Sequence, residues 1–326
     1  MRRRSIEDDR PWREGSSGWP GIRVDDDRMT VSGASEPKVA CVLVHWNSWE
    51  NTSRCLRALA LQDYGALRVI VVDNGSTDGS LGRLREAYPW VEYVENGYNA
   101  GFAKACNVGA RRGLEGGAEF VWFLNNDTEA PPETLRRLAA KAATDGSIGI
   151  VGAVLLYLHE PTKVQAWGGG EISLWSGFNR HFTARHTLGE RGYLTFASAL
   201  VRRKTFEDLG GLWERMFMYF EDADFCLRAT GAGWRLAVAE DTAILHAEGG
   251  SRGTRGRSPR IERIQTTSGM LFLGRHGVVP AVAMAVFVGL RVGKRVVLGE
   301  WGALRGVLQG VGDWWRGRNA ASRKGA

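Results

Sequence analysis

Asp127 closes an apolar run, residues 119–124 (EFVWFL), behind Asn125 and Asn126. A carboxylate at the end of such a run can ligate a hard divalent cation, which in turn neutralises a diphosphate. The plainer reading is an acid that caps the next helix or faces solvent. Asp73 ends a second apolar run, residues 68–72 (RVIVV). An acid there can accept hydrogen bonds from a base or ribose, or organise the Asn-Gly-Ser-Thr turn that follows it. Glu221 and Asp222 follow an aromatic stretch, residues 216–220 (MFMYF). An acidic pair behind an aromatic wall suits a general base. It equally suits the first turn of a helix, where the dipole favours carboxylates. Residues 99–102 (NAGF) precede a helical pattern. Free N–H groups at a helix start can hold phosphate, and Gly101 would let the backbone come close to it. The same segment reads as a turn with an asparagine cap. His246 follows apolar residues 243–245 and precedes Gly249-Gly250-Ser251. It is a metal ligand in one reading and a structural or exposed histidine in the other.

What must position these groups is an alternation of strand and helix. Residues 39–44 (VACVLV) are the short apolar run expected of a buried parallel strand. His45-Trp46-Asn47 follows, and then a helix over residues 52–61. Residues 68–72, 91–94 and 119–124 predict three more strands. Helices are expected over residues 103–112 and 225–230, and from Pro131-Pro132 onward, where proline is tolerated in a first turn. Such alternation implies an α/β fold with an open, mainly parallel sheet flanked by helices. Ligands bind beyond the carboxyl ends of the strands in these sheets, and the polar clusters fall there. No GxGxxG follows the first strand and no GxxxxGK[ST] occurs, which excludes a dinucleotide fingerprint and a P-loop. Phosphate must be held another way, and a divalent cation fits.

Hydrophobic residues make up 44% and charged residues 24%, which excludes a disordered or collagen-like chain. Cys41, Cys55, Cys106 and Cys226 are scattered with no CxxC pair. That excludes a disulfide framework and a cysteine zinc site, and fits a reducing compartment. No run reaches the roughly 18–20 apolar residues of a membrane span. The net charge of +7 is uneven: from Ser251 onward there are 14 Lys and Arg against 3 Asp and Glu, so the remainder is net acidic. Residues 1–37 are rich in Gly, Ser, Pro and clustered charge and are expected to be disordered. No apolar core follows Arg2-Arg3-Arg4, so they do not read as a secretory signal; a start at Met29 is one reading of the composition shift. Residues 276–326 form an amphipathic basic helical tail. Val286, Leu290, Val297, Trp301, Leu304, Leu308 and Val311 recur at helical spacing, with Arg291, Lys294, Arg295 and Arg305 between them and Trp314-Trp315 after. The tail reads as a helix lying in an anionic membrane interface, or as one packed on the body with its charges solvated. No helix-turn-helix or RNA-binding signature accompanies the charge, so nucleic acid is not an expected partner.

Read together, VLVHWNSWENTSRCLRAL, VVDNGSTDGS, ENGYNAGFAKACNVGA, FVWFLNNDT, GGLWERMFMYFEDADFCLR and LHAEGGS occur in one order. In that order, over residues 39–275, the chain resembles the family-2 inverting glycosyltransferases of GT-A fold, particularly bacterial rhamnosyltransferase-like members. The resemblance implies a GT-A domain over residues 38–275 with the basic tail as appendage. It implies that His45, Asn47 and Asp73 line the nucleoside pocket. Asn99, Gly101, Phe102 and Asn107 would shape the floor beside nucleotide and sugar, with Asn126 also on the donor side. Asp127 matches the last carboxylate of the family's metal-binding DxD element, and His246 a histidine that completes the metal shell in some relatives. Asp222 matches the catalytic base, and Glu221 would help place the acceptor or the base. Asp224 and Arg228 fit the helix after the base, in a structural or a functional role. The chain departs from the pattern at Asn125, where the fullest DxD has its first aspartate, at Ala197-Ser198, where glycine is common, and at Trp213, where aspartate is common before Glu214.

The function implied is a glycosyl transfer dependent on Mg²⁺ or Mn²⁺. A nucleotide-sugar donor, dTDP-rhamnose being the first candidate, would deliver its sugar to a lipid-linked or polysaccharide acceptor in cell-envelope glycan synthesis. The enzyme would be cytoplasmic and peripheral on the inner face of the membrane. The competing expectations are a sugar nucleotidyltransferase, which would attack phosphorus rather than carbon, and a non-catalytic scaffold on the membrane surface.

Overall fold

The computed structural model describes residues 36–247 and 258–324, with side chains described through residue 317. The expectations for residues 1–35 and for Gly249-Gly250-Ser251 lie outside the described residues. The order begins β1 (Val39–His45), α1 (Trp49–Leu59), β2 (Leu67–Asp73), α2 (Ser80–Ala87), β3 (Glu92–Glu95), α3 (Phe102–Glu115), β4 (Phe120–Leu124). It continues β5 (Thr128–Glu129), α4 (Thr134–Ala143), β6 (Ile148–Tyr157), β7 (Glu160–Trp167), β8 (Gly169–Ile172), β9 (Asn179–His181), β10 (Gly192–Leu194), β11 (Ser198–Arg202). The last elements are α5 (Arg203–Leu209), α6 (Glu221–Gly231), β12 (Arg235–His246), α7 (Pro259–His276), α8 (Pro280–Val297) and α9 (Trp301–Lys324).

The apolar strands are buried on both faces, and the period of two divides them between two cores. Val39, Cys41 and Leu43 face one core with Val69, Val71, Trp122 and Leu124. Ala40 and Val42 face the other with Ile70, Val72, Val121 and Phe123. Cys55, Leu56 and Leu59 of α1, Leu84 of α2 and Leu135 and Leu138 of α4 cover the first face. Ala103, Cys106 and Ala110 of α3, Phe225 of α6, Phe272 of α7 and Phe287 of α8 cover the second. Helices on both faces of a sheet therefore follow from the sequence pattern.

Among the described residues the main sheet has nine strands, eight of them in the order β3-β2-β1-β4-β11-β6-β12-β5, with β7 on β6. The half from β3 to β4 is parallel, as expected of βαβ units. β11 enters antiparallel between β4 and β6, and β12 then runs parallel to β6. The insertion brings the end of β12 back toward the end of β4, because β5, just after β4, pairs His246 with Thr128. A small antiparallel sheet, β10-β8-β9, stands beside it.

Two helix expectations are corrected. Pro131-Pro132 do not open α4; they form the turn before it, closed by the Thr134 N–H on the Pro131 carbonyl at 3.0 Å. The apolar series from Val286 to Val311 is not one helix. It breaks at Leu298–Glu300, where Gly299 takes a positive φ of 64°. Most of that series is not the packing face: Ala283, Phe287, Ala303 and Val307 are buried, while Val286, Leu290, Val297, Trp301 and Leu308 are exposed and Val311 packs on the core. α9 lies close on α7 because Gly306 offers no side chain; a Cβ there would sit 2.2 Å from the Pro259 carbonyl oxygen. No helix among the described residues is long and apolar enough to cross a membrane.

Candidate functional site

The ends of β1, β2, β4 and β12, the start of α6 and the 176–183 segment surround a cleft of about 1100 Å³. That is the top of the range for small-molecule sites and leaves room for two substrates. Trp46, Asn74, Asn99, Phe102, Asn126, Asp127, Glu221, Asp222 and His246 all line it.

Asp127 and His246 meet across 119 residues of chain. The Ala247 N–H donates to the Asp127 carbonyl at 3.0 Å, which stitches the end of β12 to the loop after β4. His246 Nε2 then lies 3.2 Å from Asp127 Oδ1. Gln165, on β7, accepts from His246 Nδ1 through Oε1 at 2.7 Å. An amide oxygen can only accept, so Nδ1 carries the proton, and in the neutral ring the Nε2 lone pair faces the carboxylate. That lone pair and the carboxylate oxygen together offer two ligands to a positive charge. Two ligands about 2.1 Å from one cation, at right angles, stand about 3.0 Å apart. The pair fits a divalent cation. Among the described residues no cluster of three or more His, Cys, Asp or Glu side chains is placed to hold a metal. The protein would thus supply two ligands, leaving the other positions to substrate oxygens and water. Asn125, beside them, places Nδ2 3.3 Å from His246 Nε2.

The acidic pair sits at the first turn of α6. Tyr219 and Phe220 precede it with positive φ of 72° and 68°, a strained conformation for two aromatic residues. Phe220 is held there against Phe272 and Phe287. Glu221 is buried and its Oε2 has no hydrogen-bond partner. Burial, and secondarily the Asp222 charge, push its carboxyl well above the usual range. Burial also pushes Asp222 up, to about 6, against hydrogen bonds from the Ala223 and Phe196 backbone that favour the carboxylate. Asp222 is therefore a carboxylate near neutral pH that takes a proton more readily than an exposed one.

Other expected donor residues lie behind the cleft wall. His45 is fully buried, with Nδ1 2.8 Å from Thr52 Oγ1 and Nε2 2.8 Å from Ser80 Oγ. It locks β1 to α1 and α2 and is not among the residues that line the cleft. Thr52 also receives Asn126 Nδ2 at 2.8 Å, so one hydroxyl ties the ends of β1 and β4. Asp73 is buried and accepts from the Gly75 and Ser76 N–H groups at 3.1 Å, the turn-organising role. Asn47, at a positive φ of 49°, accepts from the Thr77 N–H at 2.8 Å and joins the two loops. Asn107 is buried within α3, bonded to both the N–H and the carbonyl of Leu212 and to Glu214. It holds the loop leading to the acidic pair and does not form the cleft floor.

Gly101 corrects a second expectation. The start of α3 is closed: the Phe102 N–H donates to the Phe217 carbonyl at 2.6 Å. Gly101 is required because a Cβ would sit 2.5 Å from that carbonyl oxygen. The close approach is by the loop bearing Glu221 and Asp222. Asn99 accepts from Asn74 and from the Gly101 N–H, which fixes this junction. Sequence reasoning missed Gln165, Asn74, Tyr193 and the cations of α7 and α8 as cleft residues. Among these only Asn74, next to Asp73 at a strand end, carries a local signal.

The glycosyl transferase family 2 profile matches residues 40–210. The N-acetylglucosaminyl-diphospho-decaprenol L-rhamnosyltransferase of Mycobacterium tuberculosis is 29% identical over 235 residues, covering 65% of this chain and 76% of that protein. The dTDP-rhamnosyl transferase RfbF of Shigella flexneri is 26% identical over 186 residues, covering 56% and 60%. The mannosyltransferase PcManGT from Pyrobaculum calidifontis, solved with GDP-Man and Mn²⁺, superposes with a TM-score of 0.53 at 19% identity, covering 85% of this chain and 75% of that one. Such a likeness shows the fold, which is GT-A. A family profile spanning more than half of the chain, on a cleft built at the strand ends, makes this protein a glycosyltransferase of family 2.

Proposed function

We propose that the protein is an inverting, cation-dependent glycosyltransferase that moves a sugar, rhamnose from dTDP-rhamnose in the first instance, to a lipid-linked or polysaccharide acceptor. The observation that carries this is one cleft holding both the Asp127–His246 pair and the Glu221–Asp222 pair. The rhamnosyltransferase names of two relatives support the choice of sugar. Asp127 and His246 would hold Mg²⁺ or Mn²⁺. When bound, the cation supplies electrostatic stabilisation of the leaving diphosphate.

This chain's own residues account for the rest. Asp222 accepts the proton of the acceptor hydroxyl as that oxygen attacks the anomeric carbon and the bond to diphosphate breaks. The proton ends on Asp222 and the electron pair on the leaving diphosphate. One displacement inverts the anomeric configuration, through an oxocarbenium-like state as in glycoside hydrolysis. Glu221 keeps its own proton and leaves Asp222 the one negative carboxylate of the pair. Trp46, Asn74 and Asn99 face the donor side. The cell-envelope role and a peripheral position on the inner face of the membrane belong to this same proposal, as do the limits 38–275 for the transferase domain and 276–326 for the tail.

Thermal shift with nucleoside diphosphates and nucleotide sugars, each with Mn²⁺, Mg²⁺ or EDTA, tests it. A ligand at 100 times its Kd adds about 2.7 kcal/mol of stability. A cation-dependent shift that disappears in Asp127→Ala, with nucleoside diphosphate and not pyrophosphate released on turnover, is the expected result. A folded protein that shifts with no nucleotide would overturn the reading.

A further inference from the structure

A line of hydrogen bonds runs from the start of α2 to the cleft, and its direction is fixed at the outer end. Asp78 accepts from both the N–H and the hydroxyl of Ser80, the first at 3.0 Å. Against partial burial, those bonds hold the Asp78 carboxyl below its usual range, so it is ionised and can only accept. The Ser80 hydroxyl has one hydrogen and gives it to Asp78. Ser80 Oγ must then accept at its 2.8 Å contact with His45, so Nε2 carries the His45 proton. Burial lowers the pKa of His45 more than the Asp73 and Asp78 charges raise it. The ring is therefore neutral and Nδ1 is a lone pair. Thr52 gives its one hydroxyl hydrogen to Nδ1 at 2.8 Å. Toward Asn126, Thr52 Oγ1 can only accept.

Asn126 meets that demand with Nδ2, at 2.8 Å. Thr52 is fully buried, whereas Asn126 lines the cleft. With the amide nitrogen turned to Thr52, the oxygen at the other end of the amide is left to the cleft. A reversed amide would set Oδ1 against a hydroxyl oxygen that has no hydrogen to give. The relay is not what holds the loop. Thr128 Oγ1 donates to the Asn125 carbonyl at 2.7 Å, and the Ala247 N–H to the Asp127 carbonyl at 3.0 Å. The backbone on both sides of Asn126 is thus fixed independently. What His45 and Thr52 add is the orientation of one side chain.

We propose that His45 and Thr52 are positioning residues for the donor. They hold Asn126 with its oxygen toward the cleft, so this position receives a hydroxyl of the nucleotide sugar and has no N–H to offer its phosphates. The hydroxyl belongs to the ribose or to the transferred sugar, the two rings that flank the diphosphate. This rests on the glycosyltransferase reading and deepens it, because it assigns donor selection to two residues behind the cleft wall. A site built to accept from a hydroxyl discriminates against a ligand that lacks it, since its polar group is then left unpaired.

The test is isothermal titration of the full chain, with Mn²⁺ present, by the nucleoside diphosphate that gives the largest cation-dependent thermal shift, dTDP in the first instance. Its 3′-deoxyribose form, its rhamnose ester and the 2-deoxyrhamnose ester are titrated beside it. In the wild type, the analogue lacking the received hydroxyl should bind about 3–10-fold more weakly than its parent, the value of one hydrogen bond. Thr52→Val keeps the shape and removes the hydroxyl, so the amide is free to turn and that difference should vanish. Thr52→Ser should restore it. A merely structural role would weaken parent and analogue alike and leave their ratio unchanged. Loss of the ratio for the ribose analogue assigns the hydroxyl to the ribose, and loss for the sugar analogue to the transferred sugar; either supports the proposal. Ser80→Ala, away from the cleft, lets His45 take either tautomer and should narrow the same ratio, which carries the test if Thr52→Val does not fold. A wild type that distinguishes neither analogue, or ratios unchanged in the folded relay variants, would overturn the proposal. The thermal shift separates the two claims: its absence with every nucleotide sinks the transferase reading, while its presence with unchanged ratios sinks only this one.

Discussion

His246 Nδ1 lies 2.7 Å from Gln165 Oε1, so a glutamine on β7 decides which nitrogen of a histidine on β12 faces the cleft. Partners of this kind set the tautomer and orientation of a ligand, and their loss costs about 10–100-fold in metal affinity. Gln165→Met should raise the Mn²⁺ concentration for half-maximal activity by that factor. Activity at saturating Mn²⁺ should recover most of the wild-type value, which separates a positioning role from general damage.

Asp222 should govern the acid side of the pH profile. With its carboxyl raised to about 6 by burial, kcat/KM should fall tenfold per pH unit below about pH 6 as the base becomes protonated. Asp222→Asn should lose roughly 10²–10⁴ in kcat and still show the cation-dependent nucleotide shift.

Glu221 makes a pH-dependent stability contribution whose sign is fixed. Its folded carboxyl holds a proton more tightly than in the unfolded chain. That contribution is complete below the unfolded value near 4.5, and is lost as pH rises through the folded value. Glu221→Gln should match wild type in Tm at pH 4.5 and exceed it progressively toward pH 8. A difference that shrinks with rising pH would contradict the buried, protonated state.

Asp224 is fully buried and bonded to Arg228, Arg275 and His276. These partners hold its carboxyl below the usual range despite burial. Asp224→Asn leaves Arg228 and Arg275 without a countercharge and should cost about 3–5 kcal/mol, measured by urea denaturation. The wild-type contribution is present above the unfolded carboxylate value and fades as pH falls through the lower folded one, so the penalty should narrow in acid.

The sequence by itself determined the alternation of strand and helix, because burial on two faces leaves short continuous apolar runs that stand apart from the helical patterns between them. It also determined that Asp127, Asp222 and His246 follow strand ends or open a helix, since those positions are set by neighbours along the chain. The family resemblance rested on the same local segments. Tertiary structure alone decided which polar residues reach the cleft. His45 and Asn107 look as available in sequence as Asn99, yet hydrogen bonds to Thr52, Ser80 and Leu212 turn them inward. The closed start of α3 depends on Phe217, 115 residues away. Gln165 carries no local signal, because its meaning comes from a β7–β6–β12 arrangement that no short segment encodes. The tail divides in the same way: its helical period was legible, but which stripe is buried depended on where α7 offered a surface to pack against.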